Sequence, residues 1–310
     1  MSWLSKGRIG RAWRHVNRRR YQAIGDHEDF LLVTWDSCRY DAYVKARTPV
    51  LDGHAVVCKG WAMATYTLPA HQAMFCGFLP HVFEPRPFYN RYVQQLWRIS
   101  HRHVHVKPLV TFPEGTENVV AGFRRRGYFT VGVAAMDWFA RPSVLQNGFE
   151  RFHVTGTKAR QQNEILSDEI SRHARQRPCF AFANFGETHS SFRHEGMDAP
   201  GHDDKTVSLA RLFNQQGLQD DTQTRDESLF ARQVACAEYL DARMAELIDF
   251  FTRRGNPTTV VVCADHGECL GEQGLYGHAI CHEKVMEVPI LIFRLNAPAH
   301  DAPATSVEAA

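Results

Sequence analysis

The sequence predicts an α/β fold in which a mostly parallel central sheet is sandwiched by helices. Short apolar runs rich in β-branched and aromatic residues recur along the chain. They are continuous rather than alternating, which is typical of strands buried on both faces. Helical patterns separate these runs, so strand and helix alternate. The predicted strands are Phe30–Trp35, Tyr128–Ala135, Cys179–Asn184, Thr259–Ala264 and Val288–Phe293.

Two helical patterns have recognisable ends. The clearer pattern runs from about Glu227 to Arg253, with apolar residues at three- and four-residue steps, and Gly255 follows it as a stop signal. A weaker pattern covers Val119–Arg126 and ends just before a predicted strand. Because ligands of open α/β sheets bind beyond the carboxyl ends of the strands, polar residues that directly follow the apolar runs are the first candidates for a site.

Composition indicates a globular protein of one domain, or at most two. The 310 residues include 36 basic and 34 acidic side chains, and 44% are hydrophobic, which excludes a disordered chain of one charge sign. We predict a basic N-terminal arm over 1–25, a single α/β domain over 26–296 and a disordered tail over 297–310. Segments 84–115 and 190–226 lack periodicity and are predicted to be loops over the site. The sequence carries no signal of oligomeric state.

The N-terminal arm holds seven basic residues and no acidic one. Charge runs of this kind are usually solvated. A weaker alternative is contact of residues 1–22 with an anionic membrane surface. Nucleic-acid binding is not expected because the rest of the chain is net acidic; if it occurred, deletion of residues 1–22 would abolish a salt-sensitive interaction.

Cysteine usage and hydropathy predict a cytoplasmic location. The eight cysteines are scattered without a C-x-x-C pair, which fits reduced thiols better than a disulfide framework. No apolar stretch approaches the roughly 20 residues that a bilayer span requires, and the N-terminus lacks the apolar run of a signal peptide.

Three candidate metal ligands follow predicted strands. Asp36 comes after the first strand, and Asp265 and His266 come after the fourth. Two carboxylates and an imidazole suit a divalent metal, although an Asp at a strand end is also a common helix cap and Asp-His-Gly a common turn. Thr67 precedes Pro69 at the start of a predicted helix, where a hydroxyl meets the positive end of the helix dipole; a plain threonine cap is the alternative.

Four segments together resemble the alkaline phosphatase superfamily in its sulfatase-like branch, and in particular the short sulfatase-like hydrolases. They occur in the order of that family and span roughly residues 28–294. The last is the most specific, with Asp-His-Gly-Glu, a Gly-rich loop, a His and then Val-Pro before a strand. The segments are VTWDSCRYD (33–41), TLPAHQAMFCGFLP (67–80), NFGETHSSF (184–192) and CADHGECLGEQGLYGHAICHEKVMEVPILIF (263–293).

The resemblance implies that Asp36, Asp265 and His266 bind a divalent metal that Thr67 also contacts, and that Thr67 is the nucleophile. Sulfatases place at that position a Cys or Ser that becomes formylglycine, followed by x-Pro-x-Arg. Here the residue is Thr67, and His71 replaces the arginine. We therefore expect no formylglycine chemistry. His71 is either a substrate contact or an imidazole with structural hydrogen bonds.

The resemblance also bears on the metal. Sulfatases usually begin with an adjacent Asp pair that binds calcium, whereas here Ser37 follows Asp36. The loss of one carboxylate and the presence of an imidazole favour zinc or manganese. Glu187, His189 and His278 are candidates for a second metal or for substrate contact, so one or two ions are expected per chain.

Three further residues receive interpretations from their neighbours. Arg39 is expected to form a structural ion pair with a nearby carboxylate rather than to bind substrate. Glu268 is expected to orient His266. His194 and His282 are weaker candidates for the site.

These residues predict a metal-dependent hydrolase of small-molecule phosphate mono- or diesters, phosphatase- or phosphodiesterase-like, with a phosphothreonine intermediate. One alternative is a transferase that passes the phosphoryl or phosphodiester group to an alcohol. The other is a non-catalytic superfamily member that binds a ligand or a partner; the joint presence of all four site residues argues against it.

Overall fold

The structure is a computed structural model that describes residues 28–77, 118–140, 143–197 and 224–296. The basic arm, the C-terminal tail, segment 84–115 and most of segment 190–226 lie outside these ranges. Among the described residues, no helix is both long and apolar enough to cross a bilayer.

A seven-stranded sheet organises the described chain, with strand order β2-β9-β6-β1-β5-β3-β4. Strands β1, β3, β4, β5 and β6 pair in parallel, whereas β9 pairs antiparallel with β6 and β2. A separate two-stranded ribbon joins β7 and β8. The strands are β1 (Asp29–Trp35), β2 (Cys58–Trp61), β3 (Phe129–Ala134), β4 (Arg151–Val154), β5 (Cys179–Phe185), β6 (Thr258–Cys263), β7 (Cys269–Leu270), β8 (Tyr276–Gly277) and β9 (Glu287–Leu295).

Helices cover both faces of the sheet. One hydrophobic cluster joins one face to α5 and α6, and a second, rich in phenylalanine, joins the other face to α3 and α4. The helices are α1 (Tyr40–Lys45), α2 (Pro49–Asp52), α3 (Thr67–Cys76), α4 (Val119–Arg125), α5 (Ala159–His173), α6 (Glu227–Arg254) and α7 (Glu283–Met286), with short 3₁₀ turns at Asp137–Phe139, Val144–Gln146 and Glu272–Gly274.

The pleat of the two central strands determines which side chains face each helix layer. In β5, Ala181 and Ala183 belong to the α5/α6 cluster, whereas Phe180 and Phe182 belong to the α3/α4 cluster. Because strand side chains alternate between faces, Asn184 continues the α3 side. Its register partner on β1 is Thr34. Two polar side chains are therefore adjacent under α3, one residue before their strands end.

The predicted fold class is confirmed, and all five predicted strands and both predicted helices occur with ends shifted by one residue or two. Strands β3 and β5 are buried at every position, as their continuous apolar sequence predicts. Strand β9 is antiparallel and alternates at its outer end, where Ile292 is 62% exposed.

Candidate metal centre and nucleophile

Two strand ends bring the three predicted metal ligands together. Asp36 directly follows β1, and Asp265 and His266 follow β6, its parallel neighbour. One ligand atom from each side chain lies within 4.8 Å of the others, and all three residues are fully buried. This is the only such group of His, Cys, Asp and Glu side chains among the described residues.

The orientation of these side chains fits a cation. The His266 Nδ1 lies 2.8 Å from the carbonyl oxygen of Gly267, so Nδ1 carries the proton and Nε2 presents a lone pair. That lone pair faces Asp265 Oδ2 at 3.5 Å and Asp36 Oδ1 at 3.9 Å. Asp265 Oδ2 is buried and accepts no hydrogen bond. Converging acceptors, one of them a carboxylate oxygen without a hydrogen bond, are costly in a protein interior unless a positive ion binds there.

A strained turn fixes the two carboxylates relative to each other. Ser37 has φ +61°, in the left-handed region that costs a non-glycine residue roughly 1 kcal/mol. In this conformation its backbone N–H donates to Asp265 Oδ1 at 3.1 Å, and its hydroxyl donates to Asp36 Oδ1 at 3.3 Å. The strain therefore secures contacts to both candidate ligands.

Glycine is required at the position after His266. A Cβ on Gly267 would lie 2.1 Å from the carbonyl oxygen of Lys284, and the Gly267 N–H donates to the carbonyl of Val285. The loop that carries His266 is thus packed directly against the backbone of α7.

Burial and mutual repulsion separate the pKa values of the group. The pKa of Asp265 is raised well above its ordinary value by burial and by the neighbouring Asp36. Burial also acts to raise the pKa of Asp36, but the imidazole of His189 and the hydrogen bond from Asn184 act against it, so this pKa is lowered. Burial, together with His278, lowers the pKa of His266 to about 3, so the imidazole is neutral and can bind a metal at neutral pH.

Thr67 begins helix α3 and faces the ligand group. Tyr66 before it is extended, Pro69 lies in the first turn, and Gly77 ends the helix with φ +71°. The Thr67 hydroxyl oxygen lies 3.3 Å from Asp36 Oδ2 and 3.4 Å from His266 Nε2, and the residue is 1% exposed. The helix N-terminus adds a positive electrostatic potential at this hydroxyl.

His71 is fully buried one turn after Thr67. Its Nδ1 lies 2.8 Å from the Thr67 carbonyl oxygen, and its Nε2 lies 3.0 Å from the Thr34 hydroxyl. Burial lowers its pKa to about 4, so the ring is neutral. Both ring nitrogens are committed to protein partners, which favours the structural alternative over substrate contact.

A second imidazole group borders the first. The rings of His266 and His278 are 4.5 Å apart, and those of His278 and His189 are 5.3 Å apart. Glu268 does not orient His266, because its Oε2 lies 3.0 Å from His278 Nδ1. The hydrogen bond from His266 Nδ1 is accepted by the carbonyl oxygen of Gly267. Burial lowers the pKa of His278, but the Glu268 carboxylate outweighs this and raises it.

Glu187 has a different environment from the one expected for a metal ligand. Its Oε1 accepts the backbone N–H of Ala159 at 2.8 Å, at the first residue of α5. Burial raises the pKa of this carboxyl group. Glu187 is not part of the metal-binding group, because its side chain is directed to a helix N-terminus, where a carboxylate is favourable.

Three site residues were missed by the sequence analysis. Asn184 donates to Asp36 Oδ2 and to the Thr34 hydroxyl, both at 3.2 Å. Gln233 of α6 donates to the carbonyl oxygens of Ser37 and Thr188, at 2.9 and 3.0 Å, and so ties together the loops after β1 and β5. Thr34 and Asn184 are the single polar residues of the apolar runs FLLVTW and CFAFAN, a signal that could have identified them.

The remaining candidates have structural partners. Arg39 is 1% exposed and pairs with Asp41 at 2.7 Å and with Glu272 at 2.6 Å, in agreement with the expected ion pair. His282 accepts a backbone N–H at the start of α7, and the half-buried His194 stacks on Tyr239.

The sheet is mostly parallel and carries a buried Asp, Asp and His at its carboxyl edge with a helix-terminal hydroxyl beside them, the arrangement that the sequence resemblance to the alkaline phosphatase superfamily implies. A Sulfatase family model matches residues 28–308, so the chain belongs to the sulfatase family. The choline-sulfatase of Rhizobium meliloti (strain 1021) is 41% identical over 56 residues, which make up 17% of this chain and 11% of that enzyme.

Solved structures agree on the fold. The C-terminal periplasmic domain of the phosphoethanolamine transferase EptC from Campylobacter jejuni has a TM-score of 0.58 at 12% identity, covering 87% of this chain and 80% of that one. The Escherichia coli EptC domain in complex with Zn has a TM-score of 0.53 at 15% identity, covering 87% and 73%. The putative sulfatase yidJ from Bacteroides fragilis has a TM-score of 0.58 at 15% identity, covering 89% and 70%.

Proposed function

We propose that this protein is a metal-dependent hydrolase of phosphate mono- or diesters that uses Thr67 as its nucleophile. The observation that carries the proposal is the Thr67 hydroxyl, 3.3 Å from Asp36 Oδ2 and 3.4 Å from His266 Nε2 at the N-terminus of α3. A hydroxyl in direct contact with a metal-ligand set has the geometry of an activated nucleophile. Asp36, Asp265 and His266 would hold the ion.

A divalent metal in this set would lower the pKa of the Thr67 alcohol and polarise a phosphoryl oxygen. In the first step the Thr67 oxygen bonds to phosphorus and the bond from phosphorus to the ester oxygen breaks; the hydroxyl of Thr67 loses its proton, and the departing alkoxide takes up a proton and leaves as the alcohol. In the second step a water oxygen attacks phosphorus, the bond to Thr67 breaks, and phosphate, or a monoester from a diester, is released. His189 and His278 border the ligand set and would contact phosphoryl oxygens or the leaving group, with Glu268 holding His278.

The donor set supports zinc or manganese, because an imidazole replaces one of the hard oxygen ligands that calcium prefers. The placement of Glu187 at the N-terminus of α5 supports one ion rather than two. Formylglycine sulfate hydrolysis is disfavoured, because a threonine stands at the position of the convertible Cys or Ser.

The first measurement is the zinc and manganese content of protein purified without chelators, with Asp265→Ala as the metal-free control. The loaded protein is then assayed on p-nitrophenyl phosphate, bis(p-nitrophenyl) phosphate and p-nitrophenyl sulfate. We expect about one metal per chain, and turnover of a phosphate ester that falls at least about a hundredfold in Thr67→Ala. Thr67→Ser retains a hydroxyl and should keep measurable turnover. Full turnover by metal-loaded Thr67→Ala would exclude the covalent route.

The transferase alternative shares the first step and differs only in the acceptor. EptC, which has the same fold, is by its name a phosphoethanolamine transferase. Turnover that depends on an added alcohol, with transfer of the group to that alcohol, would favour it. Absence of metal in the wild-type protein, even after incubation with zinc and manganese, would favour the non-catalytic alternative.

A further inference from the structure

Five buried side chains form a closed ring of hydrogen bonds beneath the candidate metal centre, here called the Asn184 network: Thr34, Asp36, Thr67, His71 and Asn184. Asn184 Nδ2 donates to Asp36 Oδ2 and to Thr34 Oγ1, both at 3.2 Å. Thr34 Oγ1 lies 3.0 Å from His71 Nε2, and His71 Nδ1 lies 2.8 Å from the Thr67 carbonyl. The Thr67 hydroxyl donates back to Asp36 Oδ2 at 3.3 Å. None of the five is more than 1% exposed.

The direction of each hydrogen bond in the network follows from donor and acceptor chemistry. A carbonyl oxygen only accepts, so His71 Nδ1 carries the proton that faces Thr67. In the neutral ring Nε2 is then an acceptor, and the Thr34 hydroxyl must donate to it. The Thr34 oxygen is left to accept from Asn184, whose amide supplies one hydrogen to Thr34 and the other to Asp36. Each donor thus has its own acceptor, as buried polar groups require.

The network connects a metal ligand to the backbone of the nucleophile. Thr34 lies in β1 and Asp36 directly follows that strand. Asn184 lies in β5, and Thr67 and His71 lie in α3. We propose that Asn184 and Thr34 are positioning residues that fix the N-terminus of α3 relative to Asp36 and so place the Thr67 hydroxyl. The part of this proposal that concerns turnover rests on the proposed function; the part that concerns Asp36 and His71 does not.

The two residues have separable tasks. Asn184 contacts Asp36 directly, so its removal should weaken metal binding as well as displace Thr67. Thr34 touches no candidate metal ligand: it contacts α3 through His71 and reaches Asp36 only through Asn184, so its removal should displace Thr67 more than the metal ligands. Partners that orient metal ligands typically change affinity or activity by about ten- to a hundredfold when they are mutated.

The Thr34 test compares Thr34→Val, which keeps the shape but removes the hydroxyl, with Thr34→Ser, which keeps the hydroxyl. For Thr34→Val we expect a kcat at least about tenfold lower, with KM and zinc affinity within about threefold of wild type. Thr34→Ser should restore kcat to within about threefold. Thr130→Val is the matched control, because Thr130 is equally buried and its hydroxyl donates to the carbonyl of Gly148 at 3.0 Å. It should lower stability and leave kcat unchanged.

Two measurements need no turnover. In Asn184→Leu, zinc affinity determined by competition with a chromophoric chelator should fall at least about tenfold. In ¹⁵N-histidine NMR of the metal-free protein, the His71 resonances are assigned as those that the wild type shows and His71→Gln lacks. Their shifts should be those of a neutral ring with the proton on Nδ1. Thr34→Val should shift the Nε2 resonance of that ring.

The outcomes separate the two proposals. If no phosphate ester is turned over but the tautomer and the zinc affinities are as expected, the proposed function fails and the network stands. An Nε2–H tautomer at His71, or unchanged zinc affinity in folded Asn184→Leu, would overturn the network. If the wild type is active, an unchanged kcat in Thr34→Val would also overturn the network. If Asn184→Leu does not fold, the Thr34 series and the tautomer decide.

Discussion

Replacing Asp265 by asparagine should stabilise the metal-free protein. The two candidate carboxylate ligands lie at most 4.8 Å apart, and two unit charges at that distance repel by about 3.5 kcal/mol at an effective dielectric constant of 20. Asp265→Asn removes one charge and retains the acceptor for the backbone N–H groups of Ser37 and His266. Its new amide N–H faces Asp36 and the lone pair of His266 Nε2. We expect metal-free Asp265→Asn to gain up to about 3 kcal/mol in free energy of unfolding at pH 8.

The pH dependence of this gain has a definite sign. Burial and Asp36 raise the folded-state pKa of Asp265, so the contribution of this group to the stability of the metal-free wild type is fully present below the unfolded-state value near 4 and is lost as pH rises through the raised value. Asparagine does not titrate. The gap between variant and wild type should therefore be largest at alkaline pH and should close as the pH approaches 4.

Urea unfolding of chelator-treated protein, followed by circular dichroism from pH 5 to 8.5, measures the gap. Zinc should close the gap and then reverse the order: at a concentration of 100 Kd it adds about 2.7 kcal/mol to the wild type, at 1,000 Kd about 4.1 kcal/mol, and much less to the variant. Asp241→Asn is the contrasting variant at a buried carboxylate outside the ligand set: Val50 N–H donates to one oxygen and Leu51 N–H to the other, so the amide loses one of these bonds and the variant should be less stable than wild type. If metal-free Asp265→Asn is less stable than the wild type at pH 8, repulsion between the Asp36 and Asp265 carboxylates does not destabilise the metal-free protein, and the reasoning is refuted.

Three further outcomes are expected. Glu187→Gln keeps the acceptor at the start of α5 and removes a buried charge, so metal content by mass spectrometry should be unchanged; loss of one equivalent would restore Glu187 as a ligand. Glu268→Gln should lower kcat about tenfold and move the limb of the pH–rate profile that reports His278 to lower pH, because the carboxylate raises that pKa against burial; an unmoved limb would contradict the pairing. Arg39→Met removes the buried partner of Glu272, while Asp41 keeps Arg225 and Lys284 within 4 Å, so we expect a cost of about 2 kcal/mol in urea unfolding without a change in metal content; a loss below about 0.5 kcal/mol would contradict a structural role.

The sequence predicts the sheet well because a buried strand can be recognised from the apolar character of its own residues. FLLVTW and CFAFAN contain almost no polar residue, and both form central strands with Asp36 and Glu187 just beyond them. The antiparallel direction of β9 is not encoded locally. It depends on which edge of the sheet the chain returns to, and Val288–Phe293 would be equally apolar in either direction.

Side-chain direction explains the site assignments that differ from expectation. Glu187 and His189 are two residues apart after β5, yet one lies at the N-terminus of α5 and the other beside His278. Glu268 follows His266 closely in sequence, but the backbone carbonyl of Gly267, and not Glu268, accepts the hydrogen bond from the His266 ring N–H. Such choices depend on which donor or acceptor lies nearest in three dimensions, and residue spacing does not contain that information.

The electrostatics of the site link metal binding to substrate binding. Asp36 and Asp265 place negative charge where a phosphate ester, itself an anion, would have to approach Thr67. The N-terminus of α3 contributes only about half a unit of positive charge. His266 and His71 are neutral, because burial lowers the pKa of each to about 3 and about 4. A divalent cation is the group that can both pair the carboxylates and attract the ester. In the proposed mechanism the metal is therefore needed for substrate binding as well as for activation of Thr67, and metal-free protein should not bind phosphate at this site.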